Sequence, residues 1–125
     1  MPFPPRRVLL AVKGEHLEQR LFTSASNLAK RMSAGLEILM QADKENLPVQ
    51  LPELLRQIEA EAVPYRIGYQ MTLSAQEVVR YANTHECVAC VVIDAPENWG
   101  GQASTWEKLA CPLVVAAQKP AAAQD

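Results

Sequence analysis

The stretch Arg6–Gly14, RRVLLAVKG, decides the fold. Its centre, Val8 to Val12, is an unbroken apolar run without polar alternation, so neither face of the extended chain is left for water. A strand of that kind sits inside a parallel sheet covered on both sides. After the Lys13-Gly14 stop, Leu17, Leu21, Ala25, Leu28, Ala29 and Met32 recur at three- and four-residue spacings up to Gly35, the pattern of an amphipathic helix closed by a glycine. Strand and helix together make one βα unit.

The same alternation continues to the end of the chain. LEILMQA (Leu36–Ala42) reads as a second strand, and DKENLPVQLP (Asp43–Pro52) as a long, charged connector. Leu54, Leu55, Ile58 and Ala62 mark a second helix that stops before Pro64. YRIGYQM (Tyr65–Met71) alternates as a third strand nearer the sheet edge. Ser74 followed three residues later by Glu77 matches a capping box at the start of a third helix, which runs to about His85. Val88–Ile93 is a fourth strand, Ser104–Leu109 a short helix, and CPLVVAAQ a fifth strand whose proline stands where a missing N–H is tolerated. With no repeat and no linker, this order implies one α/β domain spanning residues 1–125, with a parallel sheet, right-handed crossovers, a core over about 6–119 and frayed tails.

A chain of 125 residues can bury enough surface to fold without disulfides, and 49% hydrophobic with 21% charged residues is globular composition. A net charge of −2 supplies no field for nucleic acid, so no nucleic-acid partner is expected. Nothing reaches the ~20 apolar residues that cross a bilayer, and VLLAV is too short for the core of a signal peptide. Direct membrane insertion is therefore not expected. Three cysteines, an odd number, make the reducing cytosol the expected compartment.

ECVACVVIDAPENWGG (Glu86–Gly101) contains the one arrangement that resembles a chemical motif, the pair Cys87 and Cys90. Residues three apart on a strand face opposite sides of a sheet, so the two thiols cannot chelate one metal. A redox pair belongs at a strand-to-helix exit, whereas this one enters a strand. The cysteines, Cys111 included, read as small buried hydrophobes. His16 and His85, each near a helix end, have no ligand cluster around them and suit neither a metal site nor a triad. Nucleophile elbows and the common glycine-rich phosphate loops are also missing.

Taken together, VLLAVKGE, LEILMQA, CVVID and KLACPLVVA resemble the universal stress protein family across roughly Arg6 to Lys119, the Cys-Pro-apolar ending being the most specific piece. The resemblance implies an open five-stranded sheet in the order 3-2-1-4-5 with helices on both faces. It also implies a ligand site at the switch point between strands one and four, in the loops Lys13–Glu15 and Asp94–Ser104. Family members that bind ATP use an acid at the end of strand one and a G-x-x-G, nine residues, G-[ST] pattern after strand four, whose glycines let backbone N–H groups approach phosphate. This sequence departs at both places.

Lys13 stands where the acid is expected and Asp94 where the first glycine is expected, and an aspartate facing triphosphate is repulsive. Gly100 and Gly101 remain as a pair, and Ala103-Ser104 stands in place of a Gly-Ser. The candidate site, vestigial or altered, is therefore Lys13, Gly14, Asp94, Gly100, Gly101 and Ser104. Three readings of Lys13 and Asp94 stay open: solvated loop residues, an ion pair occupying the former ligand site, or a phosphate-binding Lys13. Trp99 and Trp106 are either core residues, covers of the vestigial pocket or aromatic anchors for a partner.

The resulting expectation is a non-catalytic regulatory or interaction module with no cofactor, open to a protein partner. The resemblance adds a homodimer through the fifth strand at Leu113, Val114, Val115 and Ala116. The alternative is an adenine-nucleotide sensor that holds ATP or AMP in an altered loop. Weak nucleotide hydrolysis has no paired acid and base to support it.

Overall fold

Five parallel strands form one sheet in the order β3-β2-β1-β4-β5 in a computed structural model that describes residues 3–100 and 103–116. The strands are β1 (Arg7–Lys13), β2 (Gly35–Gln41), β3 (Tyr65–Gln70), β4 (Val88–Ile93) and β5 (Leu113–Val115). The helices are α1 (Gln19–Met32), α2 (Leu51–Ala60), α3 (Ala75–Thr84) and the single turn α4 (Ala103–Trp106). The strand order and open sheet are those implied by the resemblance, and the parallel α/β architecture is the one implied by the alternation of elements.

The apolar run that announced β1 is buried throughout, and its side chains divide between two cores. Val8, Leu10 and Val12 face Leu21, Phe22, Leu54 and Ile58 on the α1–α2 side. Leu9 and Ala11 face Val78, Val79, Trp99 and Trp106 on the α3–α4 side. β1 pairs with β2 from Arg7 opposite Gly35 to Lys13 opposite Gln41, and with β4 through Val8 opposite Cys90 and Leu9 opposite Val91. The ends of β1 and β4 are therefore adjacent, as the switch point requires.

The capping box forms: the Glu77 N–H donates to Ser74 Oγ at 3.2 Å, and the Ser74 N–H donates to Glu77 Oε1 at 2.8 Å. Several local expectations are corrected; α2, for instance, ends at Ala60, so Ala62 lies beyond it. α1 closes on Ser33, in the left-handed region at φ 52°, and Gly35 opens β2. The glycine there serves packing, because a Cβ at Gly35 would lie 2.6 Å from the Phe3 ring. The connector ends earlier than Pro52, which stands in the first turn of α2, where its missing N–H has no helical acceptor to lose.

β5 is shorter than CPLVVAAQ suggested, with Pro112 just ahead of it. Ala117 and the rest of the tail, like Gly101, lie outside the described residues. A further staple was not legible in advance: Asn83 on α3 donates to the Lys108 carbonyl at 2.9 Å and accepts from the Ala110 N–H at 2.8 Å, fixing the approach to β5.

Candidate functional site

The two strand ends at the switch point are built from short-range contacts. β1 ends at Lys13 and turns at once through Gly14–His16. Gly14 is confined, since a Cβ there would sit 2.9 Å from the Gln41 carbonyl oxygen and within 3.6 Å of Pro48 and Ala42. Its bareness lets the turn press against the end of β2 and the following loop. It has a packing reason to be glycine before any phosphate is considered.

On β4 the chain leaves Ile93 for Asp94, and Pro96 starts a 3-10 turn over Pro96–Trp99. The Asp94 carboxylate is used inside this turn. Oδ2 accepts from the Asn98 side-chain amide at 2.7 Å, and Oδ1 accepts from the Trp99 indole N–H at 3.0 Å. Trp99 is 5% exposed and meets Trp106 edge to face, with ring centroids 5.9 Å apart. Both tryptophans are thus core residues of the α3–α4 side.

Lys13 and Asp94 do not form the ion pair among the described residues. The Lys13 ammonium lies over the face of Trp99, 5.1 Å from the ring centroid, while the edge of the same ring serves Asp94. Trp99 therefore stands between the two charges: its negative π face meets the cation and its N–H meets the anion. The sequence named both charged residues and Trp99, but not the ring as the link between the two charges. The signal was present in the Asp94 to Asn98-Trp99 spacing, which places two side-chain donors within one turn of an acid.

Of the remaining candidates, Gly100 has φ 64° with open space around it, so its glycine suits the left-handed backbone rather than a close neighbour. Ser104 is exposed on α4. A cavity of about 220 Å³ lies beside Asp94 and Asn98, bounded by Leu21, Ala116 and the Arg20–Glu18 ion pair. Arg20 is a cation at this end of the sheet that sequence reasoning overlooked, because it reads as an ordinary helix-surface charge.

Of the three cysteines expected to be buried, only Cys90 is; Cys87 and Cys111 are half-buried. Cys90 lies in the α1–α2 core, and burial, with a smaller effect of nearby Cys111, pushes its thiol up to about 11. Burial raises Cys111 as well. Cys87 falls in the turn before β4, where its carbonyl accepts from the Arg7 N–H at 2.8 Å. All three thiols are free, and no cluster of potential metal ligands occurs among the described residues. No helix there is long and apolar enough to cross a membrane.

With this geometry in hand, solved structures supply the comparison. A universal stress protein from Archaeoglobus fulgidus superposes with a TM-score of 0.62 over 88% of this chain and 93% of its own, at 10% identity. The chain has the universal stress protein fold. UspA from Lactobacillus plantarum matches at TM-score 0.51 and 19% identity, covering 90% of this chain and 99% of its own. A universal stress protein crystallised in complex with cAMP matches at TM-score 0.56 and 12% identity, covering 90% and 98%. No protein-family model matches the sequence, and a search of curated proteins found no relative. The universal stress protein fold therefore rests here on three-dimensional similarity, and the strand-end chemistry must be judged from this chain's own residues.

Proposed function

We propose that this protein is a non-catalytic module with the universal stress protein fold, acting in the cytosol by association with other chains and not by binding ATP in the family manner. The observation that carries this reading is the Trp99 ring, buried at the switch point with Lys13 on its face and Asp94 on its N–H. Groups that would have to meet a nucleotide are already occupied with one another. An Asp94 carboxylate at a strand exit also opposes phosphate by charge.

Association is assigned to β5, an edge strand that among the described residues pairs with β4 alone. Val115 is 43% exposed, with Leu113 and Val114 half-buried beside it, so the strand offers apolar side chains and an open backbone edge to a second copy. Ala116 contributes less than expected, because its methyl is buried in the α1–α2 core and its N–H is held by the Ile93 carbonyl at 2.8 Å.

Light scattering across micromolar concentrations tests the dimer: the mass of two chains is expected, falling to one in Val115→Glu with unchanged circular dichroism. A single-chain mass in the unaltered protein would overturn it.

The second reading is an adenine-nucleotide sensor. Arg20 beside the cavity and the neighbouring fold crystallised with cAMP favour it. Melting temperature measured against ATP, AMP and cAMP separates the two readings. A native-state ligand at a hundredfold excess over its Kd adds about 2.7 kcal/mol, so a flat response at millimolar nucleotide supports the association reading and a dose-dependent rise supports the sensor.

A further inference from the structure

At the opposite end of the sheet, on the α3 side, an open cleft of about 380 Å³ lies between β3 and the C-terminal part of α3. Its charged groups are Arg7, Glu37 and Arg66 from three neighbouring strands, and its wall is the stacked pair Tyr81 and His85, with ring centroids 4.0 Å apart. Glu37 is fully engaged, accepting from Arg7 at 3.0 Å and from the Tyr81 hydroxyl. His85 is oriented by Nδ1, 2.7 Å from the Tyr81 carbonyl oxygen, which makes that nitrogen the donor. The wall is thus rigid and polar at its rim.

Three features are left incompletely satisfied among the described residues. Arg66 meets no carboxylate among the described residues and rests on the Phe3 ring at 4.3 Å, leaving a positive charge that Glu37, committed to Arg7, does not balance. The Nε–H of Arg7 is shielded and lacks an acceptor among the described residues. Gly68, on the cleft floor in β3, has ordinary strand backbone and nothing within 4 Å of where a Cβ would lie. Glycine weakens a strand, and neither a turn nor a close neighbour requires it here. A bare backbone floor beside an unbalanced guanidinium fits a flat ligand with one negative charge.

We propose that this cleft binds a small planar carboxylate, its carboxylate on the Arg66 fork and its body over Gly68 against the Tyr81–His85 wall. One net positive charge matches a monoanion, and the guanidinium fork matches a carboxylate in two parallel hydrogen bonds. The site is separate from the Lys13–Trp99–Asp94 cluster and does not depend on its reading.

Benzoate titrated into the isotopically labelled full chain tests this by amide and imidazole NMR shifts. Saturable shifts are expected at Arg66, Gly68 and His85. Arg66→Gln should weaken binding about tenfold or more, the equivalent of losing a charge-assisted hydrogen bond. Gly68→Val, whose Cβ would meet nothing within 4 Å, should abolish binding while the protein stays folded, and Arg56→Gln on the distant α2 surface should leave it unchanged. Shifts that never saturate, equal binding in the Arg66 and Gly68 variants, or tighter binding of inorganic phosphate than of benzoate would each overturn the assignment.

Discussion

The indole N–H of Trp99 donates to Asp94 Oδ1 at 3.0 Å while the Lys13 ammonium lies 5.1 Å from the centre of the same ring. One side chain therefore satisfies the anion at the end of β4, receives the cation at the end of β1 and packs into the α3–α4 core. Its two contributions can be separated. Trp99→Phe keeps most of the apolar volume and removes the N–H, and with Asn98 still bonded to Asp94 the loss should be about 1 kcal/mol. Trp99→Ala should cost about 3–5 kcal/mol, the range for emptying a large aromatic site. Urea denaturation of both variants checks the difference.

Gly14 offers a sharper test of whether the turn after β1 is a packing element or a ligand loop. A Cβ there meets a backbone oxygen, Gln41, at 2.9 Å, and backbone cannot step aside as a flexible side chain can. Gly14→Ala should destabilise the fold by about 1–3 kcal/mol with no ligand present. A denaturation midpoint equal to that of the unaltered protein would show that the turn is looser than this contact requires.

Sequence reading succeeded where the cause is local. The Val88–Ile93 run matches β4 residue for residue, since an uninterrupted apolar segment between polar turns has few other places to go. Ser74 and Glu77 cap α3 because the box is completed within four residues. It failed where the cause is a distant contact. Gly35 resembled a helix terminator, yet its missing side chain makes room for Phe3, a neighbour in space that no periodicity reveals. The resemblance brought Lys13 and Asp94 to one end of the sheet, but only the packing of Trp99 determines that they meet through a ring and not directly.

Ala62 provides a prediction of the opposite sign. It follows α2 at φ 61°, a conformation in which the Cβ of an L-residue crowds the next carbonyl, and its side chain is exposed. Ala62→Gly should remove that crowding. The gain is partly offset by the greater freedom of glycine in the unfolded chain, leaving a net stabilisation of roughly 0.5–1 kcal/mol. A rise in the denaturation midpoint without a change in slope is the expected result.

Alkaline pH should destabilise the protein through Cys90. Burial in the α1–α2 core raises its thiol from an ordinary 9.0 to about 11 in the folded chain. Below pH 9 both folded and unfolded states hold the proton, and the contribution is fully present. Above it the unfolded thiol ionises first, so the unfolded state binds fewer protons and stability falls as pH rises toward 11. Tyr81, pushed up to about 12 by burial and by its hydrogen bond to Glu37, adds a similar loss beginning near pH 10. The two can be distinguished by substitution. Cys90→Ala should lower stability at neutral pH by emptying part of the core, yet flatten its decline between pH 8.5 and 10 under reducing conditions. An equally steep decline in that variant would assign the alkaline sensitivity to Tyr81 or Cys111 instead.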